Sequence, residues 1–195
     1  MMKSLRFLLP VLPGLFAAPA ALADDAQTAP FVTPSVDSEV LYESPSPQGG
    51  APVRLRTRWQ VAGLLKRDDP EGSAVYMITS WKARTLTVVD TLHHRRSTMP
   101  VPGGEIVLPG QPAKGNFIKL GTQTVAGESC DTWRTSDRDG HQSDVCYTSD
   151  GILLRVDQNG TTVVRAVQVT RAPQPDAIFA MPEGFRDTAP AGRSG

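Results

Sequence analysis

The sequence is sparing with most features that announce a function. It has two cysteines and three histidines in 195 residues, far from a disulfide-dense scaffold or a multi-thiolate metal site. Aromatic residues make up 6% of the chain, and 20 basic residues face 20 acidic ones. That balance lacks the basic excess that accompanies nucleic-acid or anionic-surface binding, so no nucleic-acid partner is expected. No G-x-S-x-G, H-E-x-x-H, Walker or G-x-G-x-x-G sequence occurs, so nothing assembles a nucleophile, a metal site or a phosphate cradle. The reading is binding rather than catalysis, with no catalytic residue, cofactor or metal ligand assigned. With 17 prolines and 17 glycines, long helices are unfavourable, since each interrupts helix interiors.

What is present begins with an address. Lys3 and Arg6 precede an apolar run from Phe7 to Phe16, and Ala21-Leu22-Ala23 stands just before Asp24-Asp25. This is the layout of a cleavable secretory signal peptide over residues 1–23. The run is broken by Pro10 and Pro13 and falls short of the ~20 apolar residues of a membrane span. Beyond it no stretch reads as a transmembrane anchor. Removal of the leader leaves a chain with two more acids than bases, long enough for one domain with a substantial core. The expectation is an exported, periplasmic, monomeric protein, with a flexible lead-in over 24–34, one domain over 35–187 and a disordered tail over 188–195.

Strand patterns fill the domain. Val36–Glu43 alternates weakly, and SPSPQGGAP (44–52) is a loop by composition. Val53, Leu55, Thr57 and Trp59 alternate with Arg54, Arg56, Arg58 and Gln60, which predicts a strand with one buried and one solvated face. Val61–Lys66 is read as a further strand, Arg67–Gly72 as a turn, and Ala74–Trp81, Thr85–Asp90 and Leu92–Met99 as a meander. Strands resume at Phe117–Gln123, Thr124–Thr135, Gln142–Thr148, Ile152–Asp157 and Thr161–Thr170, with Asn159-Gly160 as a strong hairpin signal. Asp176–Met181 forms at most one helical turn. The predicted class is mainly β: one strongly curved antiparallel sheet, a half-barrel of roughly eight to ten strands with little helix.

Cys130 and Cys146 are equidistant from Arg138 in the predicted turn Asp137–Gly140. They should face each other, or lie one step off, across that hairpin. Opposed residues lie within disulfide range, and export supplies the oxidising compartment. Val101–Asn116 is rich in proline and glycine and reads as a long irregular segment, either a lid over the sheet or a plain insertion. His93-His94 on a strand would point to opposite faces and cannot chelate one ion together. Asp68, Asp69 and Glu71 lack the spacing of a calcium loop. A curved sheet without helices leaves an apolar concave face to be covered. The alternating register puts Leu55, Trp59, Met77, Trp81, Leu86 and Val88 forward as weak candidates for that face.

Three stretches carry a family resemblance. They are Arg54–Trp59 with Val75–Ile78; V-A-G-x-x-C-x-x-W (125–133) with C-x-x-x-D-G-I-L-L-R (146–155); and Ile178–Phe185. With these the chain resembles an exported domain of unknown function from alphaproteobacteria, related in architecture to periplasmic lipoprotein carriers of the LolA/LolB type. The resemblance implies a half-barrel whose concave face holds apolar material, hence a lipid, another apolar ligand or an envelope protein as partner. The alternative is a structural or regulatory envelope module with no ligand. The chain departs from the carriers at 101–116, where their pattern places helix.

Overall fold

Alternation becomes strand almost wherever it occurs. The computed structural model describes residues 29–103, 106–137 and 139–189; the predicted leader, residues 24–28 of the lead-in and residues 190–195 of the tail lie outside the described residues. Six strands form a meander: β1 (Ser38–Ser44), β2 (Val53–Gln60), β3 (Leu65–Pro70), β4 (Val75–Ser80), β5 (Thr85–Asp90) and β6 (Arg95–Pro100). Five more follow: β7 (Ile118–Val125), β8 (Glu128–Ser136), β9 (Gln142–Tyr147), β10 (Leu153–Gln158) and β11 (Thr161–Arg171). A 3-10 turn at Asp176–Ile178 and the short β12 (Arg186–Asp187) end the described elements. All twelve strands join one curled, unclosed sheet in the order β12-β6-β5-β4-β3-β2-β1-β11-β10-β9-β8-β7. Every pair is antiparallel except β12 with β6.

The turns explain the order. Asn159 and Gly160 take φ of 50° and 75°, the doubly left-handed geometry that matches the twist of flanking strands and that Asn-Gly adopts most easily. Ala126-Gly127 makes the same turn between β7 and β8, so the predicted strand Thr124–Thr135 is broken there. The Arg67–Gly72 turn is likewise corrected. Arg67, Asp68 and Asp69 lie on β3, and only Glu71-Gly72 turns, because cross-strand partners on β2 outweigh the turn propensity of the aspartates. Leu92–Met99 begins later than expected: Thr91–His94 is a turn, with His94 at φ 51° and His93 Nδ1 2.7 Å from Asp90 Oδ2.

The disulfide forms, with Cα atoms 5.5 Å apart, although the register differs from the expectation. Thr132, not Cys130, stands opposite Cys146, so the cysteines are diagonal, two residues out of register. The cause is a wider loop, closed by Asp137 N–H donating to His141 O at 3.1 Å, which centres the hairpin one residue later. Both cysteines are buried in a cluster with Val40, Val125, Ile152, Leu154 and Ala166.

In β1–β6 the register is unbroken, so faces can be read directly. One face carries the rows Val40-Thr57-Asp68-Met77-Val88-Ser97 and Ser38-Trp59-Lys66-Thr79-Leu86-Met99. The other carries Glu39-Arg58-Arg67-Ile78-Thr87-Thr98. On that second face the arginines are paired. Arg58 reaches Glu39 and Asp69, each at 2.7 Å, Arg54 reaches Glu43 at 2.8 Å, and Arg67 lies 3.8 Å over the Tyr76 ring.

The C-terminal segment crosses the same face. Gln60 Nε2 donates to Gln174 O (2.9 Å) and Asp176 Oδ1 (2.7 Å), and Arg67 Nη1 donates to Ile178 O (2.7 Å). The segment then runs alongside β6, where Arg186 N–H donates to His94 O and Thr188 N–H to Arg96 O. The start of the predicted tail is thus tied down at Thr188.

Candidate functional site

The first face of β1–β4 floors a cavity of about 500 Å³. Val40 and Tyr42 of β1, Leu55, Thr57 and Trp59 of β2, Asp68 of β3 and Met77 of β4 line it, with Trp81 just past β4. Tyr147, Ile152 and Leu153 close one end. The remaining wall comes from two irregular segments, Val32–Pro34 and Ile106-Val107. These are joined to each other and to the sheet. Thr33 Oγ1 donates to Val107 O (2.5 Å), Ala113 N–H to Pro30 O (2.8 Å), Phe31 bridges Pro112, and Ser35 N–H reaches Asp150 O (2.9 Å). Residues 29–34, read from sequence as part of a flexible lead-in, are therefore packed, with Pro30 and Thr33 buried. Residues 106–113 act with them as a cover.

Of the sequence candidates, Leu55, Trp59, Met77 and Trp81 meet in this cavity. Leu86 and Val88 share its face by register, opposite Thr79 and Met77, but the lining ends at β4 and they stand one strand beyond it. Tyr42, Asp68, Lys66, Tyr147 and residues 32–34 were not singled out from the sequence as lining, whereas Ile106-Val107 fall in the segment read as either a lid or a plain insertion. Asp68 was hidden by its turn-like neighbours. The cover has no periodic pattern to read. The His93-His94 pair lies outside the lining, with the His94 ring 5.1 Å from Phe185. Asp137, Asp139 and His141 gather at an exposed hairpin tip, where the Asp137 carboxylate serves as acceptor for the turn's own N–H groups.

Several polar groups of the cavity are committed to one another or to the backbone. Asp68 is buried, accepts from Thr57 Oγ1 at 2.7 Å and pairs with Lys66 Nζ at 2.8 Å, so the site carries one matched pair and no net charge. Tyr42 donates its hydroxyl to Leu153 O at 2.8 Å. Burial raises the ionisation of the Tyr42 phenol and, to about 12, that of Tyr147, which keeps both neutral donors. Trp59 is 4% exposed and its ring lies 4.9 Å from that of Trp81. Among the buried side-chain polar atoms of the described residues, its indole N–H and Ser97 Oγ have no hydrogen-bond partner. Such a site can hold an apolar molecule.

No protein-family model matches the sequence, and no curated protein matches it. Solved structures do resemble the fold. An uncharacterised conserved protein from Thermus thermophilus aligns at TM-score 0.57 and 11% identity, over 80% of this chain and 91% of that one. MucB aligns at TM-score 0.53 and 11% identity over 80% of this chain and 60% of its own. The Pseudomonas aeruginosa MucA/MucB complex gives 0.52 and 10%, over 78% and 58%. This chain thus spans about 60% of the length of MucB. A LolA superfamily protein from Nitrosomonas europaea is covered over 94% of its own length, but at TM-score 0.32, too loose to carry weight. At these identities the likeness is one of fold: a curled, mainly antiparallel half-barrel shared with MucB. Among the described residues no helix is long and apolar enough to cross a membrane.

Proposed function

We propose that the protein is an exported, periplasmic binding protein that encloses an apolar ligand of the lipid class between β1–β4 and the cover formed by residues 32–34 and 106–107. The observation that carries this reading is the roofed cavity itself, about 500 Å³ with aliphatic and aromatic lining and a charge-neutral polar pair. A volume and lining of this kind suit a small-molecule or acyl-chain site better than a packed core. Export is supported by the leader pattern at 1–23 and by the buried Cys130–Cys146 bridge. Binding rather than catalysis is part of the proposal.

A second reading has a specific observation behind it. MucB, whose fold this chain shares, has been solved in complex with MucA, so an envelope protein is the alternative partner. Native mass spectrometry and solvent extraction of the protein purified from the cell envelope test the first reading, together with titration by the neutral fluorophore N-phenyl-1-naphthylamine. Adduct masses matching extractable lipid and saturable fluorescence are the expected results. A clean apo mass without fluorophore uptake would sink the lipid reading.

A further inference from the structure

Tyr147 stands at one end of the cavity with a hydroxyl that no described residue engages. It lines the space beside Leu153, its cross-strand partner on β10. Tyr42, at the same end, gives its own proton to Leu153 O, and Thr57 and Lys66 hold the Asp68 carboxylate. The Tyr147 hydroxyl makes no hydrogen bond among the described residues. It is also within reach. The unpartnered side-chain atoms that are sealed from solvent are Trp59 Nε1 and Ser97 Oγ, so the Tyr147 oxygen, unpartnered but not one of these, borders open space. That space is not bulk water. Burial lifts the Tyr147 ionisation to about 12, which a phenol turned out to solvent would not show. Tyr147 and Asp68 both act through space on the Tyr42 phenol and raise its ionisation, so the oxygens of these three lining residues gather on the cavity side.

A phenol withdrawn from water needs a partner, and its neighbours decide which kind. A hydrocarbon supplies none. A carboxylate would bring a second negative charge beside buried Asp68, whose counter-ion Lys66 is already engaged at 2.8 Å, and like charges in an apolar enclosure are costly. Among uncharged oxygens, an ester or ether only accepts, whereas a hydroxyl donates and accepts. Tyr42 has spent its proton on Leu153 O and can only accept, while Tyr147 is free to do both. A ligand hydroxyl suits that pair and adds no charge.

We infer that the cavity takes an uncharged long-chain ligand whose head carries a free hydroxyl, as in a fatty alcohol or a monoacylglycerol, and that the Tyr147 hydroxyl is the group that receives it. The inference rests on the proposed occupancy of this cavity by a ligand of the lipid class.

Competition against N-phenyl-1-naphthylamine with decanol, monodecanoylglycerol, methyl decanoate, decanoate and decane tests it. One or both hydroxyl compounds should displace the fluorophore at lower concentration than methyl decanoate and decanoate, and which of them does so identifies the source of the hydroxyl. Tyr147→Phe keeps the ring and removes an oxygen that bonds to nothing in the described fold, so the thermal midpoint should hold. In that variant the hydroxyl compounds should lose about three- to tenfold in affinity, the worth of one hydrogen bond, while decane changes by less than about twofold. A readout on the unaltered protein is independent of the variant's folding. With 13C at tyrosine Cζ, the Tyr147 resonance should move further with the better hydroxyl compound than with decane.

Decanoate or methyl decanoate binding as tightly as the hydroxyl compounds, a hydroxyl preference that survives Tyr147→Phe, or a Tyr147 resonance that responds alike to hydroxyl compound and decane would overturn the inference while leaving the cavity reading intact. Failure of every competitor and of the fluorophore would overturn both.

Discussion

Cutting the Cys130–Cys146 bridge should weaken the protein by an amount that follows from its position. The bridge spans a sequence separation of 16. Releasing a loop of that size returns roughly 10 cal/mol/K of chain entropy to the unfolded state, or about 3 kcal/mol at 25 °C. The two sulfurs also fill space beside Leu154 and Ala166, both fully buried, so Cys130→Ala/Cys146→Ala should lose roughly 1 kcal/mol more per deleted sulfur. Reduction without substitution keeps the sulfurs in place and isolates the loop contribution. Urea unfolding followed by far-ultraviolet circular dichroism measures both, and the midpoint should fall while the m-value rises, because the unfolded chain expands. Thermal midpoints should drop by roughly 6–12 °C for the reduced protein. Val40 and Ile152 belong both to the bridged cluster and to the cavity wall, so fluorophore uptake should weaken in parallel. A stability loss below about 1 kcal/mol with an unchanged m-value would refute the reasoning.

Three further outcomes follow from single features. Gly151→Ala places a side chain at φ +85° against the carbonyl of Thr33, so calorimetry should show a loss of about 1–3 kcal/mol and the cover should loosen, read as weaker fluorophore binding. Trp59→Ala removes a ring 4% exposed and should destabilise by about 3–5 kcal/mol; an unchanged melting midpoint would show that the ring is not part of the folded core. Acid should destabilise the fold. Hydrogen bonds from Arg134 and from the His93 backbone hold Asp144 and Asp90 below their ordinary range, Asp90 at about 2. For Asp150, burial pulls the other way but is outweighed by Arg171 and Thr148. With folded-state values lowered, this contribution is complete above the unfolded carboxylate value of about 3.9 and disappears as pH falls through the folded values. Urea midpoints measured from pH 6 to pH 3 should therefore be flat and then drop, and a midpoint that rises on acidification would contradict the assignment.

The sequence made one face of the sheet legible and left open whether residues 101–116 cover it. Strict alternation in Val53–Gln60 placed Leu55 and Trp59 together on the correct side, and the same period carried Met77 there from β4. It also carried Leu86 and Val88, since a period of two specifies a face and not how far along it a cavity extends. Asp68 was lost because Arg-Asp-Asp-Pro-Glu-Gly has the composition of a turn, whereas Thr57 and Lys66 make a strand position favourable for it. The cysteine pairing survived a register error because a diagonal pair near the end of a curled hairpin still comes within 5.5 Å. Residues 29–34 were missed and residues 101–116 left undecided for a physical reason. Residues 29–34 and 106–113 are held by single long-range hydrogen bonds, and such contacts leave no local period.

The two faces of the β1–β6 meander are finished differently, and this difference points to function more directly than any one residue. A sheet face with apolar groups such as Ile78 and Val89 must be covered, and the chain covers that side with its own C-terminal segment, clasped by Gln60 and Arg67 and paired along β6. Around it, Glu39, Arg58, Asp69 and Arg67 satisfy one another. On the opposite face the described residues supply a thin cover, two irregular segments, with about 500 Å³ beneath them. Trp59 and Trp81 are set there with their rings 4.9 Å apart. A protein needing only a stable fold could have closed this face as it closed the other. Apolar surface that lines an open space forgoes the packing contacts of a filled core, and a molecule that enters the space can supply them.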